Sequence, residues 1–589
     1  LGRERCPEAA QLVQIEHWRE KEGVNKYPFF PISGGLFAPR SSKYVADMTQ
    51  CKGHGSVQGD TTTMTLPLLH HRCSYCTSDL RNSCLVGPEE DGEGVAGADF
   101  LLYVSAVDSP RCTQYDTVAY AAHCQQEAQY DRPIAGHANI CPSQISSSPR
   151  DKDVLFSTVK HEILHALGFS VGLFAFFRDR YGRPLTPRDQ NNRPKYKDKR
   201  GHYKWSKNTV KTVTREDWWA RGGRRNHTVT MVVTPNVREE ARQHFGCYDL
   251  EGAELENQGP EGTVLTHWEK RLFENEAMTG THTQNPVYSR MTLALMQDTG
   301  WYVSNFSVSE ELNWGKKLGC PFVKKSCGEW IKLRKERNLS PLPYCDKVRN
   351  KKDSLTTCTV EKNSMALCNL QKYPKSIPEE YQNFDYLPNI SRSDLDLYGG
   401  GVALADYCPY NQEFEWKDEN PRLRRDSRCE FEENTQLGEL NVALESYGEQ
   451  SRCFNHENRW VRRKCGRASY LSRYGAGCYT FECRDGRLYI GILNATKLYP
   501  CFHQGQRIYI RHIHHGYLHQ GVILCPPCDD ICHNHHNTPP GFQCSPDKYT
   551  LDRSVGDPYI REPCSAITHR FSILTPVMIF VLMVLGPQQ

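Results

Sequence analysis

The stretch His161-Glu-Ile-Leu-His-Ala-Leu-Gly-Phe-Ser170 fits the pattern H-E-x-x-H. His161 and His165 are four residues apart, so on a helix both imidazoles leave the same face and can bind one ion. Glu162 is offset by one residue, where it can take a proton from a water held by that ion. Zinc suits this set, because imidazole nitrogens bind it at ~2.0–2.1 Å and a catalytic site keeps one position open for water. We therefore expect one Zn²⁺ per chain.

The surroundings of the motif favour a metal site over two incidental histidines on a surface helix. We predict a helix over residues 153–169, because apolar residues recur there at helical spacing. Gly168 follows three residues after His165, a form in which the helix stops and the chain turns back under the metal. The predicted apolar stripe of this helix consists of Phe156, Val159, Ile163 and Leu167.

The length and composition restrict the class of protein. A chain of 589 residues is too long for one compact core, so two to four domains are expected. Its mean hydropathy of -0.65 and 38% hydrophobic residues describe a soluble globular protein rather than a multi-span membrane protein. A net charge of only +4 gives no global field for nucleic acid, so we expect no such partner.

The 26 cysteines, concentrated after Cys320, indicate a disulfide-bonded protein of the secretory pathway, located at the cell surface or secreted. Zinc ribbons are the alternative, but neither Cys73-x-x-Cys76 nor Cys525-x-x-Cys528 is followed by a second C-x-x-C at ribbon distance. Glycosylation sequons fit the same compartment. They begin at Asn226, Asn305, Asn338, Asn389 and Asn494.

Composition divides the chain into six segments of an α+β protein. These are a cysteine-containing region interpreted as partly propeptide (1–95), the first part of the catalytic domain (96–176), a basic insertion (177–235), the central part of the catalytic domain (236–310), a cysteine-rich C-terminal domain (311–545), and a spacer with a hydrophobic tail (546–589). We interpret the basic run 177–225 as a solvated loop rather than a nucleic-acid or heparin site.

Three predicted strands precede the motif, and two predicted helices follow the basic insertion. Ala98–Ala106 is a short apolar run bounded by turn formers, and shorter strands are predicted within 116–122 and 138–140. Val237–Phe245 is predicted as a helix, and Ser289–Asp298 as another that is stopped by Gly300.

The apolar run 571–585 suggests a membrane attachment. It is shorter than the ~20 residues that a spanning helix needs, and Pro576 interrupts it. Small residues upstream (Ser554, Gly556), a polar spacer and this tail match a signal for a glycosylphosphatidylinositol (GPI) anchor. We favour that interpretation over a short transmembrane anchor, and expect the membrane as a partner in either case.

A zinc hydrolase needs a third protein ligand, which the contiguous metzincin pattern would place at Val171. The ligand must therefore come from farther along the chain. His267 differs from the other candidates because Met278 follows it in a turn-like segment, as in the methionine turn beneath a metzincin metal, although Met278 alone is equally a core methionine. The candidates are His202, His227, His244, His267 and His282.

At these positions the chain resembles the leishmanolysin family of metzincins, in motifs that run in order from about residue 98 to 532. The matching pieces are 161–170, 245–249, 266–268 with Met278, 293–301, 314–322, 406–409 and 525–528. The resemblance implies a metzincin-like catalytic core with a long insertion before the third histidine, followed by a disulfide-bonded C-terminal domain. It assigns His267 as the third ligand and Met278 as the turn methionine, and it implies zinc endopeptidase activity and, often, a GPI anchor.

The expected reaction is hydrolysis of protein or peptide substrates, with His161, His165 and His267 holding zinc and Glu162 acting as the general base. The alternative is a catalytically silent adhesion or receptor protein on a metzincin scaffold, in which the cysteine-dense half binds a partner. A second metal site is a weaker hypothesis, and we interpret its residues as loop histidines. They are His512, His514, His515, His519, His533, His535 and His536.

Overall fold

A computed structural model of the chain divides into two compact units. The first contains residues 1–349 and 367–412, and the second contains residues 350–366 and 413–589. The residues that the structure describes are 98–114, 117–145, 152–199, 201–260, 262–281, 283–349, 354–416, 425–436, 438–471, 473–493, 497–532, 538–539, 541–545 and 555–564, with the strands at 11–16, 37–39, 73–76 and 84–86.

The helices are α1 Pro110–Gln114, α2 Lys152–Leu167, α3 Pro235–Phe245, α4 Lys270–Phe273, α5 Arg290–Asp298, α6 Cys320–Lys324, α7 Cys327–Glu336 and α8 Asp529–Cys532. The strands are β1 Gln11–Glu16, β2 Phe37–Pro39, β3 Cys73–Cys76, β4 Cys84–Val86, β5 Ala98–Ala106, β6 Ala119–Gln126, β7 Pro133–Ile140, β8 Val210–Ala220, β9 Gly223–Val232, β10 Ala253–Leu255, β11 Tyr302–Ser304, β12 Ser354–Cys358, β13 Met365–Cys368, β14 Leu370–Lys372, β15 Tyr398–Gly400, β16 Asn411–Glu413, β17 Glu415–Trp416, β18 Arg425–Asp426, β19 Ser451–Asn455, β20 Val461–Lys464, β21 Arg467–Tyr470, β22 Arg473–Tyr474, β23 Ala476–Arg484, β24 Arg487–Ile492, β25 Lys497–Pro500, β26 Arg507–His514, β27 Tyr517–Leu524 and β28 Val555–Gly556.

The sheet beside helix α2 has the strand order β1-β5-β7-β6. The predicted strand Ala98–Ala106 is confirmed as β5, and the two shorter predictions correspond to the longer strands β6 and β7. β5 and β7 run parallel, whereas β6 is antiparallel to β7 and forms the edge of this sheet. Helix α2 packs on β6 and β7. Gly136 permits this packing, because a Cβ there would lie 2.9 Å from the Cβ of Ala166.

The predicted helix over 153–169 is confirmed as α2, but the predicted apolar stripe is wrong at its start. Phe156 is 46% exposed, and the ammonium group of Lys160 lies 4.8 Å from its ring centroid. The buried apolar residues of α2 are Leu164, Ala166 and Leu167, close to its C-terminal end. Helical periodicity predicts which side chains share one face of a helix, but not how far the neighbouring elements extend along that face. Phe156 lies on the predicted face, near the start of α2, and is nevertheless exposed.

The interpretation of 177–225 as a solvated loop is wrong for its last part, which contains strand β8 and the start of strand β9. Strands β8 and β9 form a long antiparallel hairpin. Val210 and Met231 belong to the core of the first unit, and Trp218 is buried as well. Along β9 the buried residues His227, Val229 and Met231 alternate with less buried threonines, which is the period of a half-buried strand. Several basic side chains of the hairpin are exposed, which is why composition alone suggested a loop.

Residues 178–204 form three successive turns of the same construction. Isolated bridges close them at Arg178↔Pro184, Arg188↔Pro194 and Lys197↔Tyr203. Each turn contains an aspartate, at 179, 189 and 198, whose Oδ1 accepts a backbone N–H four residues later at 2.9 Å. A carboxylate that accepts local N–H groups fixes a turn without a regular ladder.

The helices α3 and α5 confirm the two predictions made for 237–245 and 289–298. The backbone N–H of Gly246, which has a φ of 68°, bonds Arg242 O and ends α3 in a left-handed cap. The Ser289 side chain caps the start of α5 by accepting from Met291 N. Both helices contribute to the core of the first unit.

The second unit contains two antiparallel-rich sheets with the orders β19-β23-β24-β25 and β21-β20-β27-β26-β28. Both contribute to one apolar core, which includes Tyr479, Ile490, Ile508 and Ile523. Residues 311–349 and 367–412 belong to the first unit.

Disulfides replace the zinc-ribbon alternative in the described part of the chain. Cys525 and Cys528 bond Cys501 and Cys544, so they do not act together as metal ligands. The remaining pairs are Cys112–Cys141, Cys247–Cys320, Cys327–Cys408, Cys345–Cys368, Cys358–Cys453, Cys429–Cys478 and Cys483–Cys532.

Several predictions fall outside the described residues. They concern most of 1–95, the hydrophobic run 571–585, His282, and the cluster His533, His535 and His536. Within the described ranges, no helix has the length and apolar character that crossing a membrane would require. His519 belongs to the same hypothetical second metal site and is described by the structure. It is buried, and its Nδ1 lies 2.9 Å from Val442 O.

His456, buried in the second unit, should make that unit sensitive to acid. Burial and then the cation of Arg473 lower its pKa from 6.5 to about 3. Below pH 6.5 the unfolded chain therefore binds a proton at this histidine, whereas the folded chain does not until the pH approaches 3. The free energy of unfolding falls over this pH range as a result. We expect wild type to lose about 2 kcal/mol more than His456→Gln between pH 7 and pH 5 in urea titrations. His515→Asn, at an exposed turn, should keep the wild-type slope; equal slopes for wild type and His456→Gln would contradict the assignment.

Candidate metal centre

Helix α2 presents two imidazoles from successive turns to the same point. Nε2 of His165 lies 3.0 Å from Nε2 of His161. The i, i+4 spacing produces this approach, as the sequence predicted. Both residues lie on the last two turns of the helix, where its side chains are largely buried.

A third imidazole reaches the pair from a distant part of the chain. His267 lies between β10 and α4, and its Nε2 is 3.2 Å from that of His161 and 3.1 Å from that of His165. In the described residues, these three histidines form one of the clusters with ligand atoms close enough to share an ion. The structure therefore brings His267 to the place that the sequence predicted for it.

The other candidate histidines are used elsewhere. His202 pairs with Asp198 in the third of the successive turns. His227 is buried and stacks on Trp218 with ring centroids 4.0 Å apart. His244 Nε2 bonds the carbonyl of Trp314 at 2.8 Å.

Backbone carbonyls fix the tautomer of all three clustered rings. Nδ1 of His161 lies 2.6 Å from Ala277 O, Nδ1 of His165 lies 2.7 Å from Phe169 O, and Nδ1 of His267 lies 3.0 Å from Thr263 O. A carbonyl only accepts, so each Nδ1 carries the hydrogen and each Nε2 presents a lone pair. The short Nε2–Nε2 distances are therefore contacts between three bare acceptors, an arrangement that a cation would stabilise.

Burial keeps these rings neutral. Burial lowers the pKa of His161 to about 4. Burial, and then repulsion from His161 in its protonated form, lower the pKa of His267 to about 3. For His165, burial and then the two neighbouring imidazoles lower the pKa well below 6.5. A metal ion needs the neutral form, so near pH 7 no proton competes for the cluster.

Glu162 is the buried carboxyl group next to the cluster. Burial raises its pKa to about 8, while the guanidinium of Arg111 and the backbone N–H of Ala121 in β6 act in the opposite direction. Its Oε2 accepts no hydrogen bond from the described residues. A carboxyl group with a pKa near neutrality and a free oxygen beside a metal-binding cluster is suited to accept and return a proton.

The segment around Met278 supports the cluster from the side of His161. Met278 is fully buried, and its carbonyl accepts the Trp268 N–H at 2.9 Å, which ties the segment to the residue after His267. Glu276 Oε2 accepts the Met278 N–H at 2.6 Å, and burial raises the pKa of Glu276 to about 7. The sequence predicted a turn methionine here, but carried no signal for Glu276 or for the Ala277 carbonyl that orients His161.

Gly168 performs the role predicted for the end of the helix. Its N–H bonds Leu164 O, and the following carbonyl, of Phe169, orients His165. A Cβ at Gly168 would lie 3.1 Å from Sδ and Cε of Met296 in helix α5, so only glycine allows that close approach without a shift.

Comparison with known proteins agrees with this arrangement. The model of the leishmanolysin peptidase family matches residues 70–182 and 205–538. The chain belongs to the leishmanolysin family. It is therefore a metalloprotease by descent, with an α+β fold and many disulfides in its C-terminal part.

Individual relatives extend the match over most of the chain. The leishmanolysin-like peptidase of Caenorhabditis elegans is 53% identical over 481 residues, which cover 81% of this chain and 71% of the relative. That of Drosophila melanogaster is 51% identical over 477 residues, covering 80% and 69%. Leishmanolysin of Leishmania donovani is 25% identical over 453 residues, covering 76% and 63%. Residues 183–204, which hold most of the three successive turns, lie outside the family match.

Removing one imidazole should abolish tight metal binding. Because even outer partners of metal ligands contribute 10–100-fold, we expect His267→Ala to weaken metal affinity by more than about 100-fold. Metal content by plasma emission after dialysis, and competition with a chromophoric chelator, measure this. His244→Ala removes a partly buried histidine that bonds Trp314 and should retain the metal; retention by His267→Ala would exclude His267 as a ligand.

Proposed function

We propose that this chain is a zinc-dependent endopeptidase in which His161, His165 and His267 hold the metal and Glu162 is the general base. The observation that carries the proposal is the convergence of three proton-free Nε2 atoms within 3.2 Å of one another. The buried Glu162 directly follows His161 on helix α2 and has an oxygen without a hydrogen-bond partner among the described residues. Protein and peptide chains are the proposed substrates.

The donor set fits zinc. Three neutral imidazoles with carbonyl-bonded Nδ1 groups are a common catalytic zinc set, which leaves a fourth position open. Tetrahedral zinc with nitrogen ligands at 2.0–2.1 Å separates those nitrogens by about 3.3 Å. The observed separations of 3.0, 3.1 and 3.2 Å are close to that value. Zinc, when bound, would supply Lewis acidity that makes water a better nucleophile and polarises the scissile carbonyl.

Glu162 would handle the proton. Its carboxylate takes a proton from the attacking water and returns it to the amine that leaves. Two features of the chain support both halves of this role. Burial raises the pKa of Glu162 toward neutrality, and the N–H of Ala121 and the guanidinium of Arg111 stabilise the ionised form. A group whose pKa is close to the working pH accepts and donates at comparable free-energy cost.

Strand β6 would position the substrate. It forms the edge of the described sheet, and its residue Ala121 donates to Glu162. An extended peptide that added to this edge would lie alongside the general base, with its main chain held by strand hydrogen bonds.

The proposed location is the cell surface or the extracellular space, reached through the secretory pathway. The disulfides of both units support an oxidising compartment. The sequon asparagines Asn226, Asn338 and Asn389 are exposed, as glycosylation requires. Membrane attachment is part of this proposal, either by a GPI anchor for which the apolar run 571–585 is the removed signal, or by that run as a short hydrophobic anchor.

The alternative is a catalytically silent adhesion or receptor protein on the same scaffold. It predicts that the purified protein binds a partner but never cleaves one. Hydrolysis of fluorescent casein, blocked by 1,10-phenanthroline and restored by added zinc, would decide for the protease.

The general base provides the sharpest test. We expect Glu162→Gln to reduce kcat by about 10²–10⁴-fold while the bound zinc per chain stays at the wild-type level, because the change removes the proton acceptor and not a ligand. Casein hydrolysis and metal analysis on the same sample measure both. Glu216→Gln, at an exposed position of β8, is the matched control and should be fully active. Undiminished cleavage by Glu162→Gln would refute the assigned base, and inactivity of the zinc-loaded wild type would refute the protease.

A further inference from the structure

Two cysteines of the second unit stand apart from the disulfide network. Cys465 and Cys564 are exposed and are not bonded to another cysteine in the structure. The other cysteines of the second unit in the described ranges are paired, from Cys358–Cys453 to Cys528–Cys544. Two free thiols are unusual in a chain whose other described cysteines are oxidised.

The two cysteines lie in segments that touch. Cys465 Sγ is 3.7 Å from the carbonyl oxygen of Pro563, the residue before Cys564. Next to this contact, the backbone N–H of Gly466 donates to Glu562 Oε2 at 2.8 Å. Direct interaction of the Cys564 thiol with the Cys465 thiol raises the pKa of Cys564, which agrees with this placement.

The backbone at Cys465 is a poor place for a cysteine that has no function. Cys465 has a φ of 48° and Gly466 a φ of 75°, in the two-residue turn between the paired residues Lys464 and Arg467. A turn with two positive φ values favours asparagine, aspartate or glycine at its first position, because a side chain with Cβ is strained there. A cysteine at such a position is strained, and a bond to its sulfur would offset that cost.

Other contacts hold the segment before Cys564 on the same unit. Strand β28 pairs with β26, and Asp557 accepts from Arg511 N and from Tyr499 Oη, each at 2.9 Å. Farther along, Arg511 Nη2 donates to Ile560 O at 3.0 Å. The segment therefore approaches the turn at Cys465 along a fixed path, which limits the positions available to the Cys564 sulfur.

We propose that Cys465 and Cys564 form a disulfide in the folded full-length protein, which fixes segment 555–564 to the turn between β20 and β21. The bond forms by thiol–disulfide exchange with an oxidising disulfide, either a small molecule or a protein. One cysteine thiolate attacks the oxidant and releases one of its thiols, and the second thiolate then displaces the other. The two cysteines lose two electrons and two protons, and the oxidant disulfide is reduced to two thiols.

The cross-link bears on how the tail is attached. Chain beyond Cys564 would leave the second unit from a covalently fixed point, so force on the apolar run 571–585 would be transmitted to the sheet through a bond. Gly556, one of the small residues considered for lipid attachment, is part of β28. With the disulfide in place, cleavage between Gly556 and Cys564 would leave the piece beyond the cut tethered.

Peptide mapping tests the bond directly. Full-length protein, produced through a secretory pathway, is alkylated before denaturation and digested with trypsin without reductant. The sequence predicts one cross-linked species, Cys465–Arg467 joined to Glu562–Arg570, which separates after reduction. Recovery of both peptides in alkylated form, or of either cysteine bonded elsewhere or to a second chain, would overturn the proposal.

Variants test what the bond does. Cys465→Asn keeps a residue suited to the left-handed turn, so any loss reports the missing bond rather than new strain. We expect amide exchange over residues 557–561 to accelerate by about tenfold or more in Cys465→Asn and in Cys564→Ser, and no further in the double variant. Each single variant should also gain one maleimide-reactive thiol relative to wild type. Exchange unchanged from wild type, or reactive thiols already present in wild type, would contradict the clamp.

Discussion

The structure of the metal centre depends on three hydrogen bonds from imidazole Nδ1–H groups to main-chain carbonyls. Ala277, Phe169 and Thr263 supply those carbonyls from three separate turns. Each bond sets both the orientation of a ring and the atom that carries its hydrogen, so the Nε2 lone pairs point at one another. Their mutual repulsion is tolerated because main-chain atoms, which cannot rotate away, fix every ring. The geometry of the centre is therefore a property of the turns as much as of the histidines.

Sequence reasoning found the histidines because their spacing has a direct geometric consequence. Four residues on a helix place His161 and His165 on one face, and Gly168 marks the place where the chain reverses. His267 was distinguished from the other candidates by the methionine that follows it, and the resemblance to the leishmanolysin family assigned it, because its neighbourhood to the other two histidines arises only through tertiary contacts. The carbonyl acceptors were out of reach, since every residue has a carbonyl. Glu276 was missed for a related reason: its carboxyl group serves the N–H of Met278, and no spacing rule describes such a bond.

The basic run 177–225 illustrates how composition misleads. Many of its arginines and lysines are exposed, yet Val210, Trp218 and Ala220 in the same run are buried. A strand with one solvated face contains as many polar residues as a loop, so average polarity does not distinguish the two. The three preceding turns repeat an aspartate that accepts from the backbone, and this repeat was visible in the sequence. The spacing of the apolar residues and the aspartates of the turns therefore indicate the structure of this run, whereas its charge content does not.

A set of buried charges near His267 explains how this histidine, so distant in sequence from His161 and His165, keeps its position. Arg271 is fully buried and donates to Asp406 at 3.0 Å and to Glu254 at 3.2 Å. Burying these groups costs several kcal/mol per ion before pairing, so apolar residues would stabilise the fold at least as well. Apolar packing, however, tolerates small rotations and slides, whereas charged hydrogen bonds are directional. Because Glu254 lies in β10 and Arg271 in α4, their pairing fixes these two elements relative to each other. His267 lies between them, and its carbonyl accepts the Glu256 N–H. The charged network therefore helps to fix the orientation of the His267 imidazole, whereas apolar packing at the same place would only stabilise the fold.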